Sequence, residues 1–190
     1  MRKPETLSLK GKLLIAAPDM KDPRFANAVI YICDHNAEHA MGLVINKTKG
    51  TLNLADMFDQ IGIEGSLQVA NSPVLEGGPV DIDRGFVLHT PDYTATSSVF
   101  LSGSLRMTAT KDILESLVLK DKAPQKAVLA VGYSGWTGGQ IEEEIKQNAW
   151  FIAEGDEALI YDTDMGNKWR KALASLGIKP ERLSPDSGLA

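Results

Sequence analysis

Histidine is the natural place to look for acid–base or metal chemistry, and two of the three histidines sit in one short run. Asp34 to His39 reads DHNAEH, so His35, Glu38 and His39 repeat the H-x-x-E-H spacing of inverted zinc peptidases. That chemistry needs both histidines one helical turn apart on one face, a third ligand and an open coordination position. The flanking runs AVIYICD and MGLVIN have the β-branched content of strands and leave no room for such a helix. The run is therefore expected to be a solvated loop, with no metal. Cys33 lies inside the first apolar run, where a buried, inert thiol is the default. Ser134, in GYSGW, has the strand-then-helix setting of a nucleophile elbow, but the closing glycine is missing. His35, His39 and His89 also all precede it, against the order of an α/β-hydrolase.

The glycine-rich turn SGWTGG leads into a helix expected over Gln140 to Gln147, whose free N–H groups could cradle a phosphate. Glu142, Glu143 and Glu144 occupy its first turns, complement the helix dipole and repel an anion. Neither the P-loop nor the dinucleotide fingerprint is present, and no cofactor is expected. On a helical projection Ile141, Ile145 and Ala149 share a face, Glu142 and Glu144 flank it, and Glu143 points away. Flanking carboxylates can do acid–base work if their environments differ. A solvated rim with a Glu142–Lys146 pair explains them more simply. Arg84 and His89 bracket GFVL and, in a regular strand, face opposite sides. A salt bridge for Arg84 and a hydrogen-bonded His89 at a strand end are their structural readings.

The elements that must position these groups follow from hydrophobic periodicity. Strands are expected at KLLIAA (12–17), AVIYICD (28–34), MGLVIN (41–46), VLEGGPV (74–80), RGFVLH (84–89), 97–101, 105–108, KAVLAVGY (126–133, central) and from Ala149. Helices are expected at 53–61, with Asn53 as N-cap and Gly62 as stop, at 111–119 after Thr110, at 140–147 and at 167–176 before Gly177. That order is neither a regular βαβ alternation nor an all-β series, so the class is a mixed-sheet α+β fold.

Composition agrees. With 43% hydrophobic and 24% charged residues, 190 residues can bury a core without a disulfide or metal staple, and one cysteine cannot form an internal disulfide. A net charge of −5 gives no general attraction to nucleic acid or anionic membrane. Residues 138–164 alone carry eight acids and one base, which concentrates the acidity there. No apolar run reaches membrane-spanning length and the N-terminal residues lack the apolar core of a secretory signal, so the expected location is the cytoplasm.

From Gly11 to about Gly177 the blocks GKLLIAAPDMKDPRFANAVIYICDHN, AMGLVINKT, LEGGPVDIDRGFVLHTPDY and VGYSGWTGGQIEEEIKQNAWF recur in order, and the chain resembles the YqgE/AlgH family. The resemblance implies a single α+β domain over 11–190 with a mixed, bifurcated and partly barrel-like sheet and several short helices, and the polar residues 1–10 are expected to form a flexible arm ahead of it. Positions matching the family's polar and glycine motifs are Asn46, Glu76, Gly77, Gly78, Arg84, His89, Trp136, Gln140, Glu142 and Asn148. No catalytic assignment comes with them. His39 stands where the family commonly has glycine, a further argument against a metal site. The family's AlgH label implies a role in transcriptional regulation. Without a helix-turn-helix, zinc site or basic stripe, such a role would run through a protein partner rather than direct DNA contact.

These readings converge on a non-catalytic cytoplasmic binding or accessory protein that recognises a small ligand or protein partner. Its expected surface is formed by Asn46, Glu76, Arg84, His89, Trp136, Gln140 and Glu142 around the SGWTGGQ turn. The enzyme alternative is a hydrolase or transferase using His89 or the paired carboxylates, and the other alternative is an indirect transcriptional regulator.

Overall fold

The computed structural model describes residues 7–64, 72–119 and 121–182. These residues form two compact units, one from 7–42 with 135–182 and one from 43–134.

The first unit is built on β1 (Lys12–Ala16), which lies between β2 (Val29–His35) and β10 (Trp150–Glu154), antiparallel to both. Leu14 is the pivot of that register, opposite Ile30 on one side and Ile152 on the other. The five residues from Val29 to Cys33 are all buried, as expected of a strand apolar on both alternating sets. The turn into β3 (His39–Val44) is closed by the Asn36 amide donating to the His39 carbonyl. Three helices complete the unit: α3 (Gln140–Lys146), α4 (Glu157–Ile160) and α5 (Met165–Ser175). α5 lies against β1 and β2, burying Trp169, Ala172 and Leu173, and the Trp169 indole N–H donates to the Ala16 carbonyl. Of the arm expected over residues 1–10, 1–6 fall outside the described residues, while Leu9 is buried.

The second unit contains β4 (Thr48–Asn53), α1 (Leu54–Ile61), β5 (Pro73–Glu76), β6 (Val80–His89), β7 (Val99–Ser102), β8 (Leu105–Thr108), α2 (Lys111–Leu117) and β9 (Ala127–Thr137), which belongs to this unit through Ser134. Its strands run in the order β4-β5-β9-β6-β8-β7. β5 and β9 are parallel and the other pairs antiparallel, so the mixed sheet of the α+β class is present and β9 is central. Leu54 and Phe58 of α1 and Ile113 and Leu117 of α2 cover Val74, Val87, Leu129 and Val131 of the sheet. α1 starts and stops where local chemistry requires. Asn53 and Asp56 form a capping box, and Gly62 supplies the left-handed stop.

Four boundaries differ from the periodicity. VLEGGPV is not one strand but β5, a Gly77–Gly78 break and the start of β6. β4 has no apolar alternation in its sequence TKGTLN and is held as a strand by pairing with β5. β9 does not stop at Tyr133 but continues through SGWT. The four-residue helix α4 follows Asp156, whose carboxylate accepts from the Ala158 amide.

Candidate functional site

The side chains able to do chemistry fall into two polar networks, one in each unit. In the first, β2 carries His35 to its end, where the side chain is 4% exposed. The Leu9 amide donates to Nδ1 at 3.0 Å, so the ring proton sits on Nε2, which donates to Glu142 Oε1 at 2.8 Å. His39, across the turn at the start of β3, instead meets Asp34 Oδ2 at 2.9 Å on the surface. The run is therefore a strand-loop-strand, with His35 buried rather than solvated and the two rings turned to different partners.

Glu144 is the second centre of this network. Its Oε2 accepts from the indole N–H of Trp136 at 3.0 Å and of Trp150 at 2.8 Å, and its Oε1 accepts from Gln140 Nε2 at 2.9 Å. Gln140 Oε1 in turn accepts from the Thr137 amide. The two indoles meet edge to face with centroids 6.3 Å apart. Trp136, expected on a binding surface, is 5% exposed and acts as a buried anchor for the end of β9. Gly138 is needed because a Cβ there would lie 2.4 Å from the Ala37 carbonyl oxygen. Glu142 and Glu144 do flank α3, but they face His35 and the indoles. The Glu142–Lys146 pair is not the one formed: Lys146 lies 3.8 Å from Glu143.

In the second unit His89 is fully buried at the end of β6. Its Nδ1–H donates to the Thr90 carbonyl at 2.9 Å, because a carbonyl can only accept. Nε2 then accepts from the Thr108 hydroxyl at 2.8 Å, Thr108 accepts from Ser98, also at 2.8 Å, and Ser98 accepts from the Ala95 amide at 2.9 Å. The chain is satisfied with His89 neutral, and burial pushes the imidazole's pKa below its ordinary value. Tyr93 packs edge-on against the ring and donates to Asp112. Desolvation, then Asp112, pushes the phenol up to about 12.

Among the described residues Arg84 forms no salt bridge, and its guanidinium lies 5.2 Å from the centroid of Phe86. Asn46 is half-buried just after β3, and Glu76 is exposed at the end of β5, with its amide donating to the Lys47 carbonyl. Ser134 is buried inside β9, not presented on an elbow, and its hydroxyl donates to the Gly77 carbonyl. Cys33 is buried, and desolvation pushes its thiol up to about 12. The residues of the predicted surface are divided between the two units. Trp136, Gln140 and Glu142 lie in the first unit, and Asn46, Glu76, Arg84 and His89 in the second.

Sequence reasoning missed three features. Glu144 could have been found as the flanking acid between two tryptophans that each need an acceptor. Lys168 is fully buried, donates to the Ile160 carbonyl, and is lowered by desolvation to about 8; the signal was its place one turn before Ala172 on the apolar stripe of α5. The third is a cleft of about 510 Å³ in the first unit. Leu13, Ala153, Ala158, Leu159 and Leu176 give it apolar walls, while Glu154, Asp156 and Asp162 outnumber Lys171 on its polar lining.

No helix among the described residues is long and apolar enough to cross a membrane. Residues 13–181 match the AlgH-like family. A UPF0301 protein of Aliivibrio fischeri strain MJ11 is 44% identical over 189 residues, covering 97% of this chain and 100% of that protein. One from Caulobacter vibrioides strain NA1000 is 40% identical over 183 residues, 96% of this chain and 94% of the relative. The solution structure of the AlgH protein from Pseudomonas aeruginosa superposes with a TM-score of 0.78 at 36% identity over the whole of both chains. A crystal structure from Corynebacterium diphtheriae, at 20% identity and a TM-score of 0.70, covers 92% of this chain and 90% of its own and shares the fold. With its motif blocks, its α+β architecture and these full-length similarities in agreement, the chain belongs to the AlgH-like, UPF0301 family.

Proposed function

We propose that the protein is a non-catalytic, cytoplasmic binding or accessory protein, and that the acid-rimmed cleft of the first unit takes a basic amphipathic segment of a protein partner. The observation that carries this reading is the make-up of that cleft, an apolar floor of leucines and alanines beneath three carboxylates, of which Glu154 and Asp162 pair with Lys12 and Lys171 while Asp156 caps α4 at the surface. Carboxylates at a rim speed and orient encounter with a basic partner, and the apolar floor supplies the desolvated contact that slows its release. The acidity of residues 138–164 adds a local field of the same sign.

What supports the non-catalytic half is the state of the groups an enzyme would use. Each buried histidine has both ring nitrogens engaged, so neither offers a free lone pair to a substrate proton. Glu144 is held by three donors.

The test compares wild-type protein with Glu154→Lys combined with Asp156→Asn, the asparagine keeping an acceptor for the Ala158 amide. A partner captured by the wild type is purified and titrated calorimetrically against both. The reading predicts saturable binding that weakens about tenfold in the variant and also with added salt. Equal binding by both proteins would overturn it.

A further inference from the structure

The second unit holds a separate cleft of about 250 Å³ against the helix-covered face of its sheet. Gly85 and Val87 of β6 and Leu129 of β9 form the floor, Met57, Ile61 and Leu114 of α1 and α2 form the walls, and Asp83, Thr110 and Lys111 stand at the mouth. This space lies between the roughly 150 Å³ of a cavity that accepts benzene and the roughly 300 Å³ at which small-molecule sites begin. Met57 gives it an adaptable wall, and Ile61, 39% exposed, marks its opening.

Gly85 is the telling residue. At Gly77, Gly78, Gly132, Gly138 and Gly155 an added Cβ would come within 2.2 to 2.4 Å of backbone, so close packing excludes any side chain. At Gly85 the one atom it would meet within 4 Å is Leu129 Cδ1, at an ordinary 3.4 Å. Gly85 also has no left-handed φ. Glycine inside a strand costs backbone entropy and gives nothing to pack. Gly85 closes the stretch where the β6–β9 register shifts, but neither a close contact nor a left-handed φ excludes a side chain there, and the side chain that is missing would stand in the cleft.

From this geometry we propose that the cleft is a binding site for a small, mostly apolar molecule, the size of an aromatic bicycle or a short acyl chain, with its polar tip at the mouth between Asp83 and Lys111. This inference is independent of the protein partner proposed for the first unit.

The experiment is a titration of ¹⁵N-labelled full-length protein with indole, followed by amide shifts. Expected are saturable shifts at Met57, Gly85, Lys111 and Leu114, with a dissociation constant on the order of 0.1–1 mM. Gly85→Val fills the floor and is expected to keep or raise Tm while weakening indole at least about tenfold. Ile61→Glu, a rim change that leaves the core intact, is expected to weaken it by a similar factor. N-acetyl-tryptophanamide, which carries the same ring on a peptide backbone, should bind more weakly than indole. The proposal is overturned if shifts do not saturate, if they map elsewhere, if Gly85→Val lowers Tm, or if either variant binds as wild type does. Tighter binding of the tryptophanamide would overturn it too, by reassigning the cleft to a partner's side chain.

Discussion

A backbone amide reaches His35 in the first unit and a backbone carbonyl reaches His89 in the second, and this difference sets opposite tautomers. The Leu9 N–H makes Nδ1 of His35 an acceptor and leaves the proton on Nε2, facing the Glu142 carboxylate. The Thr90 carbonyl makes Nδ1 of His89 the donor and leaves Nε2 to accept from a chain of two hydroxyls. The first network is centred on Glu144, which collects three N–H groups, with Glu142 accepting one from His35 through Oε1, and the second on a relay in which every hydroxyl gives one proton and takes one. Both histidines are satisfied in the neutral form, and a further proton on either would face an existing donor. A buried histidine beside a carboxylate or a hydroxyl is easily read as catalytic, but with both nitrogens engaged it has become part of the framework.

The contrast makes predictions of different size. Glu144→Leu strips the acceptor from two buried indoles and should destabilise by about 3–4 kcal/mol in chemical denaturation, at roughly 1–3 kcal/mol per orphaned donor. A loss near zero would show that the carboxylate does not organise the first network. Thr108→Val keeps the shape but interrupts the hydroxyl relay at its middle, and about 2 kcal/mol should be lost.

Lys168→Met removes a buried charge from the first unit and should gain about 1 kcal/mol at neutral pH, after the lost bond to Ile160 is set against it. Its folded pKa, about 8, lies below its ordinary 10.5, so the unfolded chain holds the proton more tightly in that window. Wild-type stability should therefore rise relative to the variant from about pH 8 to about pH 10.5, and the gain should be lost again as pH falls. The smallest change is Glu142→Gln, whose carbonyl still accepts from His35, with an expected loss under about 1 kcal/mol by the same denaturation assay.

What could be read from residue order was whatever depended on neighbours in the chain. Asn53, Asp56 and Gly62 announce α1 because a capping box and a left-handed stop are local devices. KAVLAVGY announces a central strand because both of its faces are apolar. SGWT looked like a turn, yet it stays extended because Trp136 is buried and Glu144, eight residues on, accepts its N–H. The same limit governed the site. Residue types drew attention to His35 and His89, but the groups that set their tautomers, the Leu9 amide and the Thr90 carbonyl, are backbone atoms. Acceptance of both tryptophans by one glutamate, and the placement of Arg84 over Phe86, are likewise facts of packing.

The most direct test of the framework role is the tautomeric state of the two rings, read from long-range ¹H–¹⁵N correlations of the imidazole nitrogens at neutral pH. The structure predicts that His35 carries its proton on Nε2 and His89 on Nδ1, each as a single tautomer without exchange. A ring that averages between tautomers, or His89 with its proton on Nε2, would mean a nitrogen free to exchange protons with a substrate and would contradict the account.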